Sequence, residues 1–371
     1  MCNALGIINY DDASAYVEGL QDYRPMPSVS FLGRYRLIDF ALSNMTNSGI
    51  KHVQVYVKSK PRSVFEHLGT GRQYNINSKR GKLHLLSGEE PIHSEIYNHD
   101  ITAFMQNMQF IEEAKYPYVV IAPSFMVTKI DFNDVMAAHM ESGADVTVAY
   151  KTIDNAKEAF IGINTLTLDR DKRIVKFEKN QGKFKNRHVS LRMYIMRKNL
   201  FIDLVKLAQK TSSMYTLSDI IGDNLNTLNV VGYNHKGYVA CINNLDQYFK
   251  ANMELICRDK ASELFDPKWP FHTRTNDSCP TQYSPLADVK FSTIANGCFI
   301  EGEVRNSVLG RGVIVKPGAV IENCIVLPGA FIGENAKLKY CIVDKNAKIM
   351  HVKELLGTPE DLIYVKRRDT L

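Results

Sequence analysis

The C-terminal part of the sequence repeats itself at a constant interval of 17 residues. Ser307–Leu309, Cys324–Val326 and Cys341–Val343 each carry one small residue followed by two branched aliphatic residues, and Ala319 and Ala336 recur at the same interval. Such self-similarity is typical of hexapeptide-repeat parallel β-helices, in which three short strands form a coil and inward aliphatic side chains stack between coils. An ordinary β-meander is the alternative, and the constant period favours the β-helix.

Residues 1–245 follow a different pattern, in which short β-rich runs alternate with amphipathic helical stretches. The alternation predicts an α/β domain with a Rossmann-like, mostly parallel sheet, which binds ligands beyond the carboxyl ends of its strands. The predicted strands are Ala4–Ile8, His52–Val57, Tyr118–Ala122, Val146–Tyr150, Ile174–Phe177 and Arg192–Met196. The predicted helices are Tyr35–Asn47, Ala103–Ala114, Asn133–Glu141 and Asn199–Gln209.

These patterns divide the chain into three parts. We expect an α/β domain over residues 1–245, a helix and linker over 246–285, and a β-helix over 286–371. Leu245–Lys260 is helical in pattern, whereas Asp266–Pro285 contains four prolines and the only tryptophan. That composition predicts a linker packed across a domain junction.

Composition restricts the classes of function. The 46 Lys and Arg against 40 Asp and Glu give a net charge of +6, and this excess is not concentrated on one stripe, so small anionic ligands are favoured over nucleic acid. Seven cysteines without CxxC pairs argue against a zinc site. No apolar stretch approaches the ~20 residues of a membrane helix, and Ala4–Ile8 is too short for a signal peptide. We expect a cytoplasmic protein with reduced thiols.

One motif carries a specific resemblance. Residues Phe31–Ile50 follow the pattern F-G-G-[KR]-[YF]-R-[IL]-I-D-F-x-L-S-N-x-x-N-S-G-I at most positions. The motif strongly resembles the bacterial glucose-1-phosphate adenylyltransferases, or ADP-glucose pyrophosphorylases. Shorter matches at Glu66–Gly69, Lys129–Phe132, Gly143–Asp145 and Ala251–Leu255 extend the resemblance along nearly the whole chain. The resemblance implies a nucleotidyltransferase domain followed by a left-handed β-helix, in agreement with the repeat.

Members of that family join ATP and glucose 1-phosphate into ADP-glucose and pyrophosphate. The resemblance implies a glycine loop around the phosphates, a cation against their charge and carboxylates that hold Mg²⁺. The loop G-G-x-G-x-R-L is replaced here by Asn9–Tyr16, which has no glycine and two aspartates. Met26 replaces the lysine of the motif R-x-K-P. Both changes remove groups that bind phosphate.

The family's two metal-binding aspartates are also replaced. Phe125 stands at the first, in the motif G-D-H-x-x-K-x-D, and Cys241 at the second, in W-[RK]-D-V-G-T. Arg192 replaces a glycine near the sugar site. Since the loss of one preorganised electrostatic contact costs roughly 10²–10³ in rate, these losses together predict little or no activity for the isolated chain. We therefore expect no catalytic residue, no bound metal and no cofactor.

Some residues of the family's sites are retained. Gly162, Glu178, Lys179 and Ser190 match its glucose 1-phosphate region, so the resemblance implies a vestigial sugar-phosphate pocket at these positions.

The retained charged residues have two interpretations. Arg24 and Arg36 match positions near the family's allosteric anion site between the domains, and the alternative for Arg36 is a local pair with Asp39. The carboxylates of Asp39, Asp131 and Asp219 could in principle replace the missing metal ligands. We instead expect these aspartates to cap helices or to contribute surface charge.

The resemblance therefore implies a regulatory, catalytically degraded subunit of glucose-1-phosphate adenylyltransferase in glycogen biosynthesis. Such a chain modulates a catalytic partner in a mixed tetramer, where the partner alone requires Mg²⁺, and its expected effector is a sugar phosphate, sulfate or phosphate. The alternatives are an active nucleotidyltransferase with rearranged metal ligands, a β-helix acyltransferase and a ligand sensor without a partner. The acyltransferase is disfavoured because residues 287–349 contain no histidine that would serve as general base.

Overall fold

The computed structural model describes residues 2–9, 15–57, 59–76, 79, 81–87, 100–212 and 215–371. Strands alternate with helices up to residue 264. The strands of this part are β1 (Ala4–Asn9), β2 (Ser30–Phe31), β3 (Tyr35–Arg36), β4 (His52–Val57), β5 (Lys82–Ser87), β6 (Tyr118–Pro123), β7 (Met126–Thr128), β8 (Val146–Ile153), β9 (Asn164–Leu168), β10 (Ile174–Lys179), β11 (Arg187–Arg197), β12 (Val230–Asn234) and β13 (Val239–Cys241). The helices are α1 (Leu37–Asn47), α2 (Arg62–Leu68), α3 (Asp100–Gln106), α4 (Met108–Glu112), α5 (Phe132–Ser142), α6 (Lys198–Thr211), α7 (Leu217–Asp223), α8 (Leu245–Glu254) and α9 (Arg258–Leu264).

The central sheet has the strand order β10-β9-β11-β6-β1-β4-β5, and β8 joins it by pairing with β11 and β12. β1 pairs in parallel with β4 and with β6, and β4 pairs in parallel with β5. Successive side chains of β1 alternate between two hydrophobic cores, because Ile8 packs into one and Ile7 into the other. This confirms the predicted α/β domain. β11 runs antiparallel to β6, so the sheet is mixed.

Two predicted helices are wrong in length. The stretch Ala103–Ala114 forms α3 and α4, separated at Asn107, whose side-chain amide donates to the carbonyl oxygen of Ala103 over 3.0 Å. A side chain that bonds to the backbone in this way competes with helix continuation. Leu245–Lys260 is likewise divided between α8 and α9. None of the helices in the described ranges has the length and apolarity that crossing a bilayer requires.

The C-terminal part forms three parallel sheets of five strands each, consistent with the predicted left-handed β-helix. Their strands are β14 (Gln282–Tyr283), β15 (Asp288–Lys290), β16 (Thr293–Ile294), β17 (Phe299–Ile300), β18 (Glu303–Arg305), β19 (Val308–Leu309), β20 (Ile314–Val315), β21 (Val320–Glu322), β22 (Ile325–Val326), β23 (Phe331–Ile332), β24 (Lys337–Lys339), β25 (Cys341–Val343), β26 (Lys348–Ile349), β27 (Glu354–Leu356) and β28 (Ile363–Val365). Val308 pairs with Ile325 and Ile325 with Ile342, so the 17-residue repeat is the register between coils.

The segment between α9 and the first coil packs against α1. Trp269 donates its indole N–H to Oδ1 of Asn44 over 2.9 Å, and the backbone N–H of His272 donates to Oγ of Ser43 over 2.9 Å. The rings of Phe40 and Phe271 lie 4.8 Å apart. α1 lies within the motif Phe31–Ile50, so the polar positions of that motif hold the linker.

Gly33 lies at a point where the α/β domain and the β-helix come very close together. Its φ is +66°, and a Cβ atom at this position would come within 2.6 Å of the carbonyl oxygen of Leu309. The backbone conformation and the lack of space both require glycine here. The family motif therefore positions the β-helix against the α/β domain.

We predict that Gly33→Ala lowers the free energy of unfolding by more than Gly143→Ala does. Gly143 has a similar φ of +60° at the end of α5, but no atom would lie within 4 Å of an added Cβ. Gly143→Ala should therefore cost about 1 kcal/mol from backbone strain alone. Urea unfolding of the two variants measures the difference. Equal losses would show that Leu309 moves aside and that the close approach imposes no constraint.

Candidate functional site at the sheet edge and the domain junction

The predicted ligand-binding edge of the sheet lies where β1 and β6 end side by side, with Asn9 opposite Pro123. The amide of Asn9 donates to Oδ2 of Asp100 at this edge, over 3.2 Å. Most of the segment that replaces the family's glycine loop, residues 10–14, lies outside the described residues.

The two positions that resemble the family's metal ligands meet at this edge. β13 pairs antiparallel with β7, which places Cys241 opposite Met126, and the N–H of Ile242 donates to the carbonyl oxygen of Phe125 over 2.9 Å. Phe125 is fully buried and Cys241 is 4% exposed. A phenyl ring and a thiol therefore stand where Mg²⁺ would need oxygen ligands. Among the described residues, no three His, Cys, Asp or Glu side chains are grouped to hold a metal ion.

Met26 lies in a short 3₁₀ helix, Met26–Ser28, and its side chain is completely buried in the hydrophobic core. A lysine at this position would have to lose its hydration or displace its neighbours. The position that resembles the family's phosphate-facing lysine is therefore part of the core in this chain.

Arg192 lies in a β-bulge of β11. The pairing of β11 with β8 shifts register between Ser190 and Met193, and Arg192 has a φ of +55°. Its backbone N–H donates to Oγ of Ser190 over 3.1 Å, and the central carbon of its guanidinium lies 5.9 Å from the centre of the Phe125 ring. The residue that replaces the sugar-site glycine thus contacts the residue at the first metal position.

The four residues predicted for the sugar-phosphate pocket do not share one cavity. Glu178 and Lys179 line a cavity of about 530 Å³ between β10 and α7. Ser190 is buried in β11 and Gly162 occupies a turn with a φ of +78°, and neither lines that cavity. Nζ of Lys176 lies 2.7 Å from Glu178, and this hydrogen bond lowers the pKa of the glutamate carboxyl group.

Arg24 joins the α/β domain to the β-helix. Its Nη2 donates to both carboxylate oxygens of Asp344 over 2.7 Å, and the side chains are 4% and 0% exposed. The hydroxyl of Tyr364 donates to Oδ2 of Asp344 over 2.8 Å. Nη1 of Arg24 is buried and has no hydrogen-bond partner in the part of the chain that the structure describes. Arg24, which we predicted as part of an effector site, therefore uses Nη2 in a structural ion pair. Its Nη1 remains a buried donor without a hydrogen-bond partner among the described residues.

Arg36 does not form the local ion pair with Asp39 that we considered as an alternative. The backbone N–H of Arg36 donates to Oδ2 of Asp39 over 2.8 Å, whereas its guanidinium donates to the carbonyl oxygen of Ser63. The other oxygen of Asp39 lies 2.6 Å from Nε2 of His67 and accepts the hydroxyl of Tyr74 over 2.5 Å. Burial lowers the pKa of both Arg36 and His67.

Lys345 adds a third cation to this junction. Burial, together with the charges of Arg36 and Arg24, lowers the pKa of its ammonium group to about 7. Lys345 and its neighbour Asp344 were not predicted from the sequence, although one pattern pointed to Asp344. Asp344 is buried at the repeat position that Leu327 occupies one coil earlier, 17 residues away. A charge at a core position of a repeat indicates a partner from outside the repeat.

A neighbouring cavity of about 640 Å³ lies between α9 and the first coils. Arg34 and Arg311 line it together with apolar side chains, among them Phe265 and Ile294. It was not predicted, because these residues come from distant segments.

The retained aspartates cap helices, as expected. Asp39 completes a capping box at α1, and Asp219 completes one with Thr216 at α7. Asp131 is the N-cap of α5, where it accepts the N–H of Asn133 over 2.8 Å. Each of these carboxylates therefore has a structural role.

Known proteins share this combination of domains. Residues 19–257 match the family described as Nucleotidyl transferase, and residues 282–359 match the GlmU-like C-terminal hexapeptide region. A "Glycogen biosynthesis protein GlgD" of Geobacillus stearothermophilus is 35% identical over 327 residues, which cover 85% of this chain and 82% of that protein. Its namesake in Bacillus subtilis is 31% identical over 366 residues, covering 98% and 95%. A "Glucose-1-phosphate adenylyltransferase" of Clostridioides difficile is 31% identical over 310 residues, covering 81% and 78%.

The chain belongs to the glucose-1-phosphate adenylyltransferase family of nucleotidyl transferases. The glycogen-related relatives agree with the resemblance of the motif Phe31–Ile50. At the two positions that resemble the family's metal ligands, this chain has a phenyl ring and a thiol.

For this member of the adenylyltransferase family we predict that Asp344→Asn lowers the free energy of unfolding by about 3–5 kcal/mol, because the charge of Arg24 is then buried without compensation. Glu263→Gln is the control, since it breaks a half-exposed pair with Lys260 and should cost less than about 1 kcal/mol. Urea unfolding measures both losses.

Replacement of the whole pair should cost less than removal of one partner, because Arg24→Met combined with Asp344→Leu leaves neither charge of the pair buried alone. A loss for Asp344→Asn that is no larger than the loss for Glu263→Gln would contradict a structural role of the pair.

Proposed function

We propose that the chain is a regulatory subunit without catalytic activity, which modulates a catalytic glucose-1-phosphate adenylyltransferase subunit in glycogen biosynthesis. One observation carries this proposal. The two positions that resemble metal-binding aspartates are adjacent in space, and both are filled by buried side chains without a carboxylate, Phe125 and Cys241. Mg²⁺ accepts oxygen ligands in near-octahedral geometry, which a phenyl ring and a thiol do not provide.

An active enzyme with rearranged metal ligands is the alternative. The three retained carboxylates, Asp39, Asp131 and Asp219, are the natural substitutes, and each accepts hydrogen bonds as a helix cap. If one of these carboxylates bound a metal instead, the loss of its helix cap would lower the stability of the protein by about 1 kcal/mol. Their positions favour the regulatory subunit over a rearranged active site.

The proposed partner is a catalytic chain of the same family, and the proposed assembly is a mixed tetramer. The intact junction supports this proposal, because residues Phe31–Ile50, the linker and the first coils pack together as a complete scaffold. Regulation requires that the chain bind the active and inactive states of its partner with different affinity.

The proposed effector is an anion at the junction, bound by Arg24, Arg36 and Lys345. The buried, unsatisfied Nη1 of Arg24 and the three converging cations support this site. A sugar phosphate, phosphate or sulfate supplies the oxygen acceptors that guanidinium groups bind in bidentate geometry.

We predict that the purified chain forms ADP-glucose at well below about 1 s⁻¹ with saturating ATP, glucose 1-phosphate and Mg²⁺. Co-expression with a catalytic adenylyltransferase should yield a mixed species whose kcat, KM or effector response differs from that of the partner alone. Steady-state kinetics and analytical ultracentrifugation make the measurements. Turnover in the ordinary enzyme range by the isolated chain, or unaltered partner kinetics without a mixed species, would refute the proposal.

We predict that sulfate binds about tenfold more weakly at pH 8 than at pH 6. Lys345 has a pKa of about 7, so its ammonium is charged below pH 7 and neutral above, whereas sulfate remains a dianion throughout. Calorimetry at low salt measures the affinity, and Lys345→Arg should remove its pH dependence. Arg34→Ala, in the neighbouring cavity, is the control and should leave binding at this site unchanged. Equal affinity at both pH values would exclude Lys345 from the site.

A further inference from the structure

The segment that follows β8 lies at the same edge of the sheet as Phe125 and Cys241. β8 and β6 both pair antiparallel with β11, so they run in the same direction and end at the same edge. Phe125 comes soon after the end of β6, and residues 155–162 come soon after the end of β8. We call residues 155–162 the strap, because they form turns that are held by side chains from other segments.

Asn180, which follows β10, holds one side of the strap. Its Nδ2 donates to the carbonyl oxygens of Ala156, Ala159 and Phe160 over 2.8, 3.0 and 3.2 Å, so two hydrogens are shared among three acceptors. The backbone carbonyl of Asn180 also accepts the N–H of Gly162 over 2.9 Å. Asn180 is 5% exposed, so water competes little for these bonds. This one side chain therefore supports several turns of the strap.

Asn243 holds the strap from the segment that follows β13. Its Nδ2 donates to the carbonyl oxygen of Ile161 over 2.8 Å, and Asn243 is buried two residues after Cys241. The motif W-[RK]-D-V-G-T has glycine at this position, and glycine has no side chain that could form the bond. Nε2 of Gln247, on α8, adds a bond to the carbonyl oxygen of Glu158 over 3.2 Å. The strap is therefore fixed between two distant parts of the α/β domain.

The strap also contributes to the hydrophobic cluster that contains Phe125 and Cys241. Ala156 and Phe160, which are 0% and 5% exposed, belong to this cluster. Apolar side chains pack favourably beside a phenyl ring and a thiol, whereas metal-binding carboxylates would have required water or a cation. The side chains that stand at the two metal positions therefore make this edge suitable for burial under an apolar segment.

The backbone of Phe160 is strained in this position. Its φ of +57° lies in the left-handed region, which is unfavourable for a bulky residue with a Cβ. Such residues persist only where the surrounding contacts fix them, and they cluster at clamps and switches. Burial of the Phe160 ring and the bonds from Asn180 and Asn243 offset the strain here. Without these bonds, the strain favours release of the strap.

We propose that the strap closes this edge of the sheet in the isolated chain, held by Asn180 and Asn243 beside the cluster that contains Phe125 and Cys241. The closed strap keeps solutes away from the positions that resemble the family's metal ligands. This inference goes beyond the proposed function, because it concerns access to the edge and involves neither the partner nor the effector site. Its failure and the failure of the proposed function are therefore separate results.

The thiol of Cys241 reports whether the strap is closed, since this side chain is 4% exposed within the cluster. The exposed thiols of Cys257 and Cys279 give the rate at full access. The buried thiols of Cys2, in the α/β domain, and Cys324, in the β-helix, report wider unfolding. N-ethylmaleimide labels accessible thiols, and mass spectrometry of the digested protein gives the rate at each cysteine separately.

Wild-type protein should label the two exposed thiols rapidly and Cys241 at least tenfold more slowly. In the double variant Asn180→Ala and Asn243→Ala, the rate at Cys241 should rise at least tenfold, while the two buried reference thiols keep their slow rates. Asn243→Ala alone should give an intermediate rate, and it remains informative if the double variant unfolds. Asn224→Ala is the matched control, since it removes a 2.8 Å bond from an asparagine amide to the carbonyl oxygen of Ile220 in α7. It should label like wild type.

Amide hydrogen exchange of the strap provides a second readout. In the double variant, the N–H of Gly162 should exchange at least tenfold faster than in wild type. Rapid labelling of Cys241 in wild type, an unchanged rate in the double variant, or a rise that Cys2 shares would each overturn the proposal. Faster labelling of Cys241 without faster exchange in the strap would also overturn it, because another segment would then be the one that shields the thiol.

Discussion

The ion pair between Arg24 and Asp344 joins two parts of the chain that are 320 residues apart in sequence. Because both side chains are almost completely buried, the pair is stable only while the β-helix stays in its present orientation. Gly33, the linker and α1 are held in contact by the same orientation. The cations that collect around this pair, Arg36 and Lys345, owe their perturbed pKa values to the closed junction. The anion site and the domain arrangement therefore depend on each other.

Much of the fold could be predicted because the sequence patterns that indicate it lie within short segments of the chain. The 17-residue period gave the register of Val308, Ile325 and Ile342, and strand–helix alternation predicted the central sheet. The break at Asn107 was missed, since amphipathic periodicity continues through a residue whose side chain bonds to the backbone. The antiparallel entry of β11 was also missed, because pairing direction depends on long-range contacts.

The sequence identified residues of the candidate site, but it did not predict which of them lie close together in the folded chain. The motif resemblance identified Phe125 and Cys241 separately, and the pairing of β7 with β13 brings them together. It also grouped Glu178 and Ser190, which lie on different strands and do not line one cavity. Asp344 could be recognised only as a charge at a core position of the repeat, since its partner lies in another domain. Contacts between distant segments produce little recognisable pattern in the local amino-acid sequence.

The close approach of Gly33 to Leu309 has a mechanical consequence. No side chain separates the two backbones at this point, so this contact itself has nothing compressible that could absorb a displacement. A rotation of the coils would therefore displace the segment Phe31–Ile50, which contains α1. The β-helix would then act as a lever on this segment, because a force on its far coils would move α1 instead of being absorbed at the contact with Gly33.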